Sequence, residues 1–548
     1  MLNTMIVSPR CSALTTASKV FVRDATGVVR AISPLNALIL TSFNIAYGLS
    51  MSLALTTTPA VLPGADIGVA FLLAFPFVIS IGLLYTWFTI SMPRAGAEYV
   101  WISRTINPAI AIGFAFLFVF FQSVLMGSLA NFDLSYILAA GLASLGVLTG
   151  STALMGFSAF LASANAILLF GTLLVLLTFV LLVTPLRYYL RVQQVLYVLG
   201  IMSMIVFFFI IGTTNRSQFV ASFNDAFGTY NATYDGIISA ANSLGFANPG
   251  LVTFGSATLL AIPFLLFTLN GFQWAGYMGG ELKDVGKGMY LSAVFGGTLV
   301  TLIFAASGFL TQQVMGAEFL NAVSYLQTAA PAQYPLPVPF NALLIAVFLG
   351  RSVPLGVILV VGVFAWGFGI LVAEGLVCSR IILALGFDRA LPAKLAEVSD
   401  RFHTPVVAAT VYAILLEVGL VASVYAGVIF AQINVTLVVV LLYAFIGLAA
   451  LVFPYWRKDL FQASPIARYR IGGVPAISLL GAVDLVLFSV LVYFALSYPS
   501  LSGPTGPTAL ALLVAVFVIG VVSYYATRAY YKGKGIPVDL AFAQIPPE

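Results

Sequence analysis

The sequence predicts an all-α membrane protein with about 12 transmembrane helices. Of its 548 residues, 61% are hydrophobic and only 7% are charged, whereas a soluble domain carries about 25% charged residues. Twelve apolar stretches are long enough to cross a bilayer, which takes about 20 helical residues. Two of them hold polar side chains and glycine at mid-length, which indicates that the helix is interrupted there.

The apolar stretches, numbered as spans 1 to 12, fall into two sets of six. Spans 1 to 6 lie near residues 34–56, 66–92, 106–132, 157–184, 192–213 and 254–280. Spans 7 to 12 lie near residues 289–313, 353–386, 404–428, 431–455, 474–497 and 508–531. The apolar runs 135–150 and 338–350 are shorter, so we expect them to be interfacial or re-entrant.

Lysine and arginine residues fall almost entirely on one side of these spans. If the N-terminus is cytoplasmic, 21 of the 23 basic residues lie in the two tails or in inner loops, and only Arg216 and Arg351 lie outside. This asymmetry follows the positive-inside rule. We therefore expect a multi-pass protein of the cell (plasma) membrane, surrounded by lipid, with both termini cytoplasmic. The polar first 30 residues contain no apolar core typical of a signal peptide.

Span 6 is interrupted within the stretch from Phe264 to Glu281. Its midpoint presents four polar or flexible residues in a short row: Thr268, Asn270, Gly271 and Gln273. Span 1 contains a second interruption, in the sequence SFNIAYGLS from Ser42 to Ser50. An interrupted helix leaves backbone N–H and C=O groups facing a cavity, and two broken helices in corresponding positions indicate the substrate site of a transporter. Taken alone, Gly48 or Gly271 is better explained by close helix packing.

Several motifs resemble those of amino acid permeases of the amino acid–polyamine–organocation (APC) superfamily. The sequence PRAGAEYVWISR at 93–104 resembles the family's first inner loop. The sequences GFDRALP at 386–392 and RFHTP at 401–405 resemble its signature after span 8. The span 1 break is similar to its Gly-x-Gly motif, and NGFQ at 270–273 is similar to its sixth span. These matches run in the family's order from about residue 34 to 460.

The resemblance implies a 5+5 inverted repeat with broken helices 1 and 6, plus two additional helices. The implied divisions are a cytoplasmic tail (1–30), a first repeat (31–213), an extracellular loop (214–253), a second repeat (254–456), helices 11 and 12 (457–531) and a cytoplasmic tail (532–548). The implied function is a secondary active transporter. It would move an amino acid by alternating access, bound at the bilayer midplane between the two breaks.

The resemblance also assigns parts of the substrate site, which must supply partners for both charges of a zwitterion. The backbone N–H groups of Ala46, Tyr47 and Gly48 would hold the carboxylate, because a helix N-terminus favours an anion. The carbonyl groups of Asn44, Phe267 and Asn270 would hold the ammonium group. Phe267 stands where the family has an aromatic side chain that closes over the substrate. The expected site is completed by Thr268, Gly271 and Gln273.

Two residues depart from the family pattern in span 1. Ala46 replaces the first glycine of the motif, which is tolerable if its φ stays negative. Tyr47 replaces a residue that is usually small. A Tyr47 that points inward would occupy substrate volume and imply a small or unusual substrate, whereas a Tyr47 that faces another helix would not. The sequence leaves these two alternatives open.

Four carboxylates lie within or at the edges of apolar spans: Asp133, Glu374, Glu417 and Asp484. An ionisable group in lipid indicates function by default. We select Glu374 as the coupling candidate, because it lies mid-span where burial would let it take up and release a proton. A protonated Glu374 with one interhelical hydrogen bond explains it equally well. Asp133 is expected near the outer surface, and Glu417 and Asp484 are interpreted as structural.

Proton coupling is therefore the expectation, and an exchanger or uniporter for amino acids or polyamines is the alternative. The family's sodium site uses hydroxyl side chains of span 8, and VGVFAWGFGI at 361–370 has none. A transporter-like channel or sensor is a more distant alternative. With one histidine and two cysteines, we expect no metal, no cofactor and no enzyme activity. We also expect no nucleic acid partner, and the oligomeric state is left open.

The inner and outer loops add two further expectations. On the inside, Arg104, Arg380 and Arg389 would form salt bridges with Glu98, Glu281 or Asp388, or would serve only to set topology. On the outside, the sequons that begin at Asn215 and Asn231 lie on the correct side for glycosylation.

Overall fold

The structure is a computed structural model that describes residues 20–23, 25–426, 428–498 and 506–545, without the side chains of 428–434. Arg10, Cys11 and Lys19, which the sequence places in the first tail, lie outside the described residues. The described part of the chain is 79% helical. Eleven helices of its described part are long and apolar enough to cross a membrane. The protein is therefore an all-α, multi-pass membrane protein, as predicted.

The eleven long spans lie close to their predicted positions. They are Pro34–Val61 (span 1), Ile67–Ser91 (span 2), Pro108–Thr149 (span 3), Ala164–Val183 (span 4), Leu186–Thr213 (span 5), Val285–Met315 (span 7), Val353–Phe387 (span 8), Val406–Ala426 (span 9), Val435–Trp456 (span 10), Ala476–Ser497 (span 11) and Pro507–Gly533 (span 12). The helix of span 10 begins earlier, as Val428–Trp456. Span 6 is different, because its α-helix covers only Ser256–Thr268. Two 3₁₀ turns, Trp274–Tyr277 and Gly279–Glu281, follow it.

Shorter elements connect the spans. The helices are Glu98–Thr105, Thr152–Leu161, Arg216–Phe227, Tyr234–Ser243, Ala317–Ala329, Ala346–Gly350, Lys458–Ala463 and Asp539–Ala543. Strands β1 (Arg470–Ile471) and β2 (Val474–Pro475) pair antiparallel in the loop between spans 10 and 11. The predicted extracellular loop 214–253 thus contains two helices.

The predictions for residues 135–184 were wrong about where the helices end. The run 135–150 is not a separate interfacial segment, because it continues span 3 through a π-helical stretch, Asp133–Ala139. Span 3 ends where Gly150 takes a left-handed conformation, with φ of 67°. Span 4 begins at 164 rather than 157, where the Ser163 side chain accepts a hydrogen bond from the N–H of Ala166. Helices commonly begin after a serine N-cap and end at a glycine C-cap, so the sequence did contain the signals for these two boundaries.

The interior of the bundle is formed by spans 1, 3, 8 and 10, whose apolar segments are the most buried. Spans 4, 5, 11 and 12 are mostly exposed on the outside of the bundle and present apolar side chains there. A membrane protein exposes such side chains to lipid tails. The broken spans 1 and 6 therefore lie inside a shell of unbroken helices.

Spans 1 and 6 are joined to each other on both sides of their breaks. At one end the Ile32 N–H donates to the Glu281 carbonyl (3.0 Å), and the Lys283 N–H donates to the Ile32 carbonyl (2.9 Å). At the other end the Val252 N–H donates to the Gly64 carbonyl (3.0 Å). These short parallel bridges hold the two broken helices side by side.

Candidate functional site

The break in span 1 occurs at one residue, Ala46, between the helices Pro34–Ile45 and Tyr47–Val61. Ala46 has φ of 47° and ψ of 64°, so the condition under which alanine would fit here without strain, a negative φ, is not met. The positive φ of Ala46 belongs to a tight turn in which the Ala46 N–H donates to the Phe43 carbonyl (2.9 Å). That N–H is consequently engaged and is not free for a substrate carboxylate. A left-handed conformation costs a residue with a Cβ roughly 1–2 kcal/mol, so the break stores strain.

The break in span 6 begins after Thr268 and depends on Gly271. Gly271 has φ of 118°, a conformation that only glycine adopts readily. A Cβ at this position would lie 2.7 Å from the Cβ of Asn44. Gly271 therefore allows the backbone of span 6 to contact the backbone of span 1 at the break. The two interruptions that the sequence predicted separately meet at one point.

A narrow cavity lies beside this contact. Its lining comes from both breaks, from span 3 and from span 8, and its polar members are Asn44, Ser50, Gln122, Thr268, Asn270 and Trp274. Phe267, Met126 and Ile370 are among its apolar members. The cavity volume is about 30 Å³, which is room for ordered water but requires side-chain movement to admit an amino acid.

Several polar atoms around the cavity are buried without a partner. Both amide atoms of Asn44, which is 0% exposed, have no hydrogen-bond partner within the described part of the chain. The same is true of Gln122 Nε2 and Trp274 Nε1. Buried polar groups in native proteins are almost always satisfied by protein, water or ligand. These donors and acceptors therefore mark the cavity as a place for a polar molecule.

Gln122, Trp274 and Ser50 were missed by the sequence analysis. Gln122 carried a usable signal, because it is an amide in the middle of the apolar span 3. Trp274 and Ser50 carried none, since either residue type is common in packed membrane helices. Of the nine predicted substrate residues, the cavity lining includes Asn44, Phe267, Thr268 and Asn270.

The other predicted substrate residues contact protein around the cavity. The Tyr47 hydroxyl lies 2.8 Å from the Ser307 hydroxyl of span 7, so Tyr47 faces another helix rather than the cavity. Gly48 packs against span 8, where a Cβ would lie 2.8 Å from Trp366. Gln273 Nε2 donates to the Tyr443 hydroxyl of span 10 (2.5 Å), and that hydroxyl donates to Asn270 Oδ1 (2.6 Å).

Glu374 lies one helical turn along span 8 from the cavity-lining Ile370, on the same face of the helix. It is 0% exposed. Its Oε1 accepts a weak hydrogen bond from Cys378 Sγ (3.5 Å), and its Oε2 has no partner among the described residues. Burying a charge costs free energy unless the charge is paired or hydrogen-bonded, so a carboxyl with so few partners is more stable in its protonated form.

The other membrane carboxylates contact neighbouring spans. Asp133 is fully buried in the π-helical part of span 3 against Gly367 of span 8, and its position near the outer surface of the membrane stays a prediction. A π-helical turn reorients the side chains that follow it, which the sequence pattern did not reveal. Glu417 accepts a hydrogen bond from Thr172 (2.7 Å), and Asp484 accepts one from Ser80 (2.6 Å). Both bonds join different helices, in line with a structural interpretation.

Two of the three expected inner arginines form buried salt bridges. Arg380 pairs with Glu281 through two hydrogen bonds of 2.8 and 3.0 Å, which ties span 8 to the end of the span 6 region. Arg104 pairs with Asp388 at 2.7 Å. Arg389 donates instead to the backbone carbonyls of residues 20 and 21. Glu98, the third carboxylate named as a possible partner, instead accepts hydrogen bonds from two tyrosines.

The fold and the cavity define a class: a multi-pass membrane protein with a buried polar site between two broken helices. The model of the amino acid permease family matches residues 37–522, which is most of the chain. The chain therefore belongs to the amino acid permeases of the APC superfamily. That membership makes it a transporter of amino acids rather than a member of an enzyme family. No curated protein matches the sequence closely.

Proposed function

We propose that the protein is a secondary active transporter that carries one amino acid across the cell membrane by alternating access, coupled to protons. The observation that carries this proposal is the polar cavity between the two breaks, lined by the unpartnered amide of Asn44. We further propose that spans 1–5 and 6–10 form inverted repeats, with spans 11 and 12 added and with both termini cytoplasmic.

In this proposal the amino acid backbone binds at the breaks. The helix that begins at Tyr47 has no side-chain cap, so the N–H groups of its first turn are available to a carboxylate. Since the Ala46 N–H is engaged, these donors belong to Tyr47, Gly48 and the cavity-lining Leu49. The ammonium group binds the backbone carbonyl oxygens of Asn44, Phe267 and Asn270, which are the groups that the resemblance implies. The unpartnered side-chain amide oxygen of Asn44 adds a further acceptor.

The cargo is a neutral amino acid. The polar lining of the cavity consists of amides, hydroxyls and an indole N–H, with no charged side chain among its members in the described chain. Glu374 is one turn away rather than in the lining. A basic amino acid or a polyamine would bring an extra positive charge that this lining does not balance.

Glu374 is proposed as the coupling residue. A carboxyl buried next to the substrate cavity takes up a proton when access reaches it from one side and releases it on the other. The buried Arg380–Glu281 and Arg104–Asp388 pairs close the inner side. Opening to the cytoplasm then requires these pairs to separate. An exchanger or uniporter is the alternative, favoured by the complete burial of Glu374 if this carboxyl never leaves its protonated form.

Counterflow uptake in proteoliposomes tests this function. Labelled amino acids and polyamines are screened with and without an inward pH gradient, for the unmodified protein and Glu374→Gln. We expect uptake of a neutral amino acid, driven by the gradient and no longer driven in the variant. Glu417→Gln is the matched control, because Glu417 only joins spans 4 and 9, and it should keep the gradient response.

The outcomes separate the parts of the proposal. Exchange that ignores the gradient and survives Glu374→Gln would make the protein an exchanger or uniporter and Glu374 structural. Uptake of polyamines alone would contradict the neutral cargo. No uptake of any amino acid or polyamine by folded protein would contradict the function itself.

A further inference from the structure

Glu98 joins three parts of the inner side of the protein. It is the first residue of the helix Glu98–Thr105, in the loop between spans 2 and 3, and is 4% exposed. Its Oε1 accepts hydrogen bonds from the Tyr85 hydroxyl of span 2 and from the Tyr277 hydroxyl of the segment after the span 6 break. We call this group, Tyr85, Glu98 and Tyr277, the Glu98 clasp.

The backbone reinforces the clasp. The Gly96 N–H donates to the Tyr277 carbonyl (3.1 Å), and Ala95 and Met278 form an antiparallel bridge. The loop before Glu98 and the segment after the span 6 break are therefore held together by both main chain and side chains. The same segment ends at Glu281, which pairs with Arg380 on span 8.

Glu98 lacks an ion-pair partner among the lysines and arginines that the structure describes. The nearby Arg104 is paired with Asp388 instead. The groups that face it from the helices packed around it are the phenols of Tyr85, Tyr277 and Tyr443 and, further away, the Glu374 carboxyl. Beside it, the pocket walls from spans 3, 8 and 10 are apolar: Ala111, Phe114, Ala115, Phe118, Ile381 and Leu442.

This environment makes Glu98 titratable near neutral pH. Burial raises the pKa of Glu98 to about 7, although the two phenols act in the opposite direction. A carboxyl in this range changes its charge within the pH range of cytoplasm.

The clasp is also connected to the substrate cavity. The Tyr443 hydroxyl donates to the cavity-lining Asn270, and its ring centroid lies 6.2 Å from that of Tyr85. Asn270, Tyr443 and Tyr85 thus connect the cavity to Glu98 through a hydrogen bond, a ring contact and a second hydrogen bond. A change at Glu98 acts on the same segment of span 6 that carries part of the cavity lining.

We propose that Glu98 is a positioning residue of the transport cycle: its carboxylate holds the segment 274–281 against the inner loop through Tyr277, and proton uptake from the cytoplasm releases that segment. The inference rests on the proposed function, in which the inner side is closed by the pair of Arg380 with Glu281, the last residue of this segment. In the ionised state both phenols donate charge-assisted hydrogen bonds. When the carboxylate takes a proton from solvent, these become neutral bonds of roughly half the strength. The Tyr277 bond lowers the pKa of Glu98, so release of Tyr277 from a carboxyl that stays buried raises that pKa further, and proton uptake favours the released state.

The test is amino acid exchange in proteoliposomes with equal pH on both sides, measured between about pH 6 and about pH 8. The ionised fraction of a carboxyl with this pKa falls about tenfold over that range. We expect exchange by the unmodified protein to rise severalfold as the pH falls. Glu98→Gln should be fast and nearly independent of pH, and so should Tyr277→Phe, which removes the bond to span 6.

Tyr85→Phe is the matched control, since it removes the other phenol and leaves the link to span 6. It should keep the pH profile with its midpoint moved to higher pH, because the carboxylate loses one donor. If the exchange rate of Tyr277→Phe depended on pH in the same way as that of the unmodified protein, the proposal would be overturned, even if Glu98→Gln failed to fold. A Glu98→Gln variant that keeps the profile of the unmodified protein would also overturn it.

A second readout separates failure of this inference from failure of the proposed function. In a Cys11→Ser, Cys378→Ala background, Ala275→Cys places a thiol in the buried segment, and Ala463→Cys gives an exposed reference on the helix Lys458–Ala463. We expect the ratio of maleimide labelling, 275 to 463, to rise severalfold from about pH 8 to about pH 6. It should stay flat with Glu98→Gln. A flat ratio with Glu98 present would overturn the clasp without reference to any substrate.

Discussion

Ala46 holds a left-handed backbone conformation at the span 1 break, with φ of 47°. Glycine adopts this conformation freely, whereas a Cβ costs roughly 1–2 kcal/mol. Ala46→Gly should therefore preserve or raise the melting temperature of purified protein, despite the loss of one buried methyl group. Ala37→Gly is the control, because Ala37 is equally buried in the preceding regular helix, where glycine costs about 1 kcal/mol. Equal destabilisation by the two changes would contradict the strained break.

Glu98 gives the protein a stability that depends on pH. Its pKa is about 7 in the folded protein, against an ordinary value of 4.5 for a glutamate, so the folded state binds more protons than the unfolded state in this range. The free energy of unfolding should therefore fall as the pH rises from about 4.5 to about 7, by about 3 kcal/mol from this group. Glu98→Gln should flatten the decline in melting temperature, and the exposed Glu318→Gln should not. An unchanged slope in Glu98→Gln would contradict the shifted pKa.

At the scale of elements, the contact between the two breaks depends on Gly271. Gly271→Ala would place a Cβ 2.7 Å from the Cβ of Asn44 and strain a φ of 118°. We expect transport to fall by at least about tenfold, as expected when a site is displaced by about 1 Å. Gly212→Ala is the control, because a Cβ there meets nothing within 4 Å. Normal uptake by Gly271→Ala would show that the breaks do not need to touch.

The bidentate pair of Arg380 and Glu281 fixes the end of the span 6 region to span 8. Removing one partner of a buried pair leaves an uncompensated charge, which costs about 3–5 kcal/mol. Arg380→Met and Glu281→Leu should each lower the melting temperature strongly, and the double variant should recover most of the loss. The exposed pair of Arg351 and Asp225 is the reference, and breaking it should cost at most about 1 kcal/mol. Additive losses in the double variant would contradict a coupled pair.

Some helix breaks and helix ends could be predicted from the sequence, and others could not. The breaks in spans 1 and 6 were predictable, because a row of polar residues with glycine is costly in an apolar span unless the helix is interrupted there. The boundary between spans 3 and 4 was misplaced, although Gly150 and Ser163 mark it. The π-helical turn at Asp133 could not be predicted, since no residue pattern distinguishes a π turn from the α-helix around it.

At the scale of the whole molecule, the two ends of the described chain meet. Phe21 stacks on Phe387 at the inner end of span 8, and Ala541 belongs to the same apolar cluster. Arg104 donates to the carbonyls of Ala541 and Gln544. Both ends therefore lie on one face together with the basic loops, which is the arrangement that the distribution of Lys and Arg predicted. That this face is cytoplasmic stays a prediction.

The site was only partly predictable from the sequence, for a physical reason. Sequence identified residues at the breaks, since interruption is a local property of one span. It did not identify Gln122, and it did not show that Asn44 faces the cavity whereas Tyr47 faces another helix. Which side chain faces a cavity depends on how spans 1, 3 and 7 pack. Tyr47 turned out to bond Ser307, an outcome that only the packing decides.

If an amino acid binds at the amide of Asn44, as proposed, a variant at this position must lose ligand binding. Both polar atoms of this buried side chain have no partner in the described chain, so Asn44→Leu should stabilise the substrate-free protein by about 1–3 kcal/mol. It should also abolish binding of the amino acid found in the uptake screen.

The control is Asn341→Leu, because the Asn341 amide bonds Tyr136 and Leu343; that variant should be destabilised and should still bind. The measurement is the melting temperature of each protein with and without amino acid, since saturating ligand at about 100 times its Kd adds about 2.7 kcal/mol. We predict a higher melting temperature and no ligand shift for Asn44→Leu. If the amino acid raised the melting temperature of Asn44→Leu as much as that of the unmodified protein, the substrate would bind elsewhere, and the proposed binding at the Asn44 amide would be contradicted.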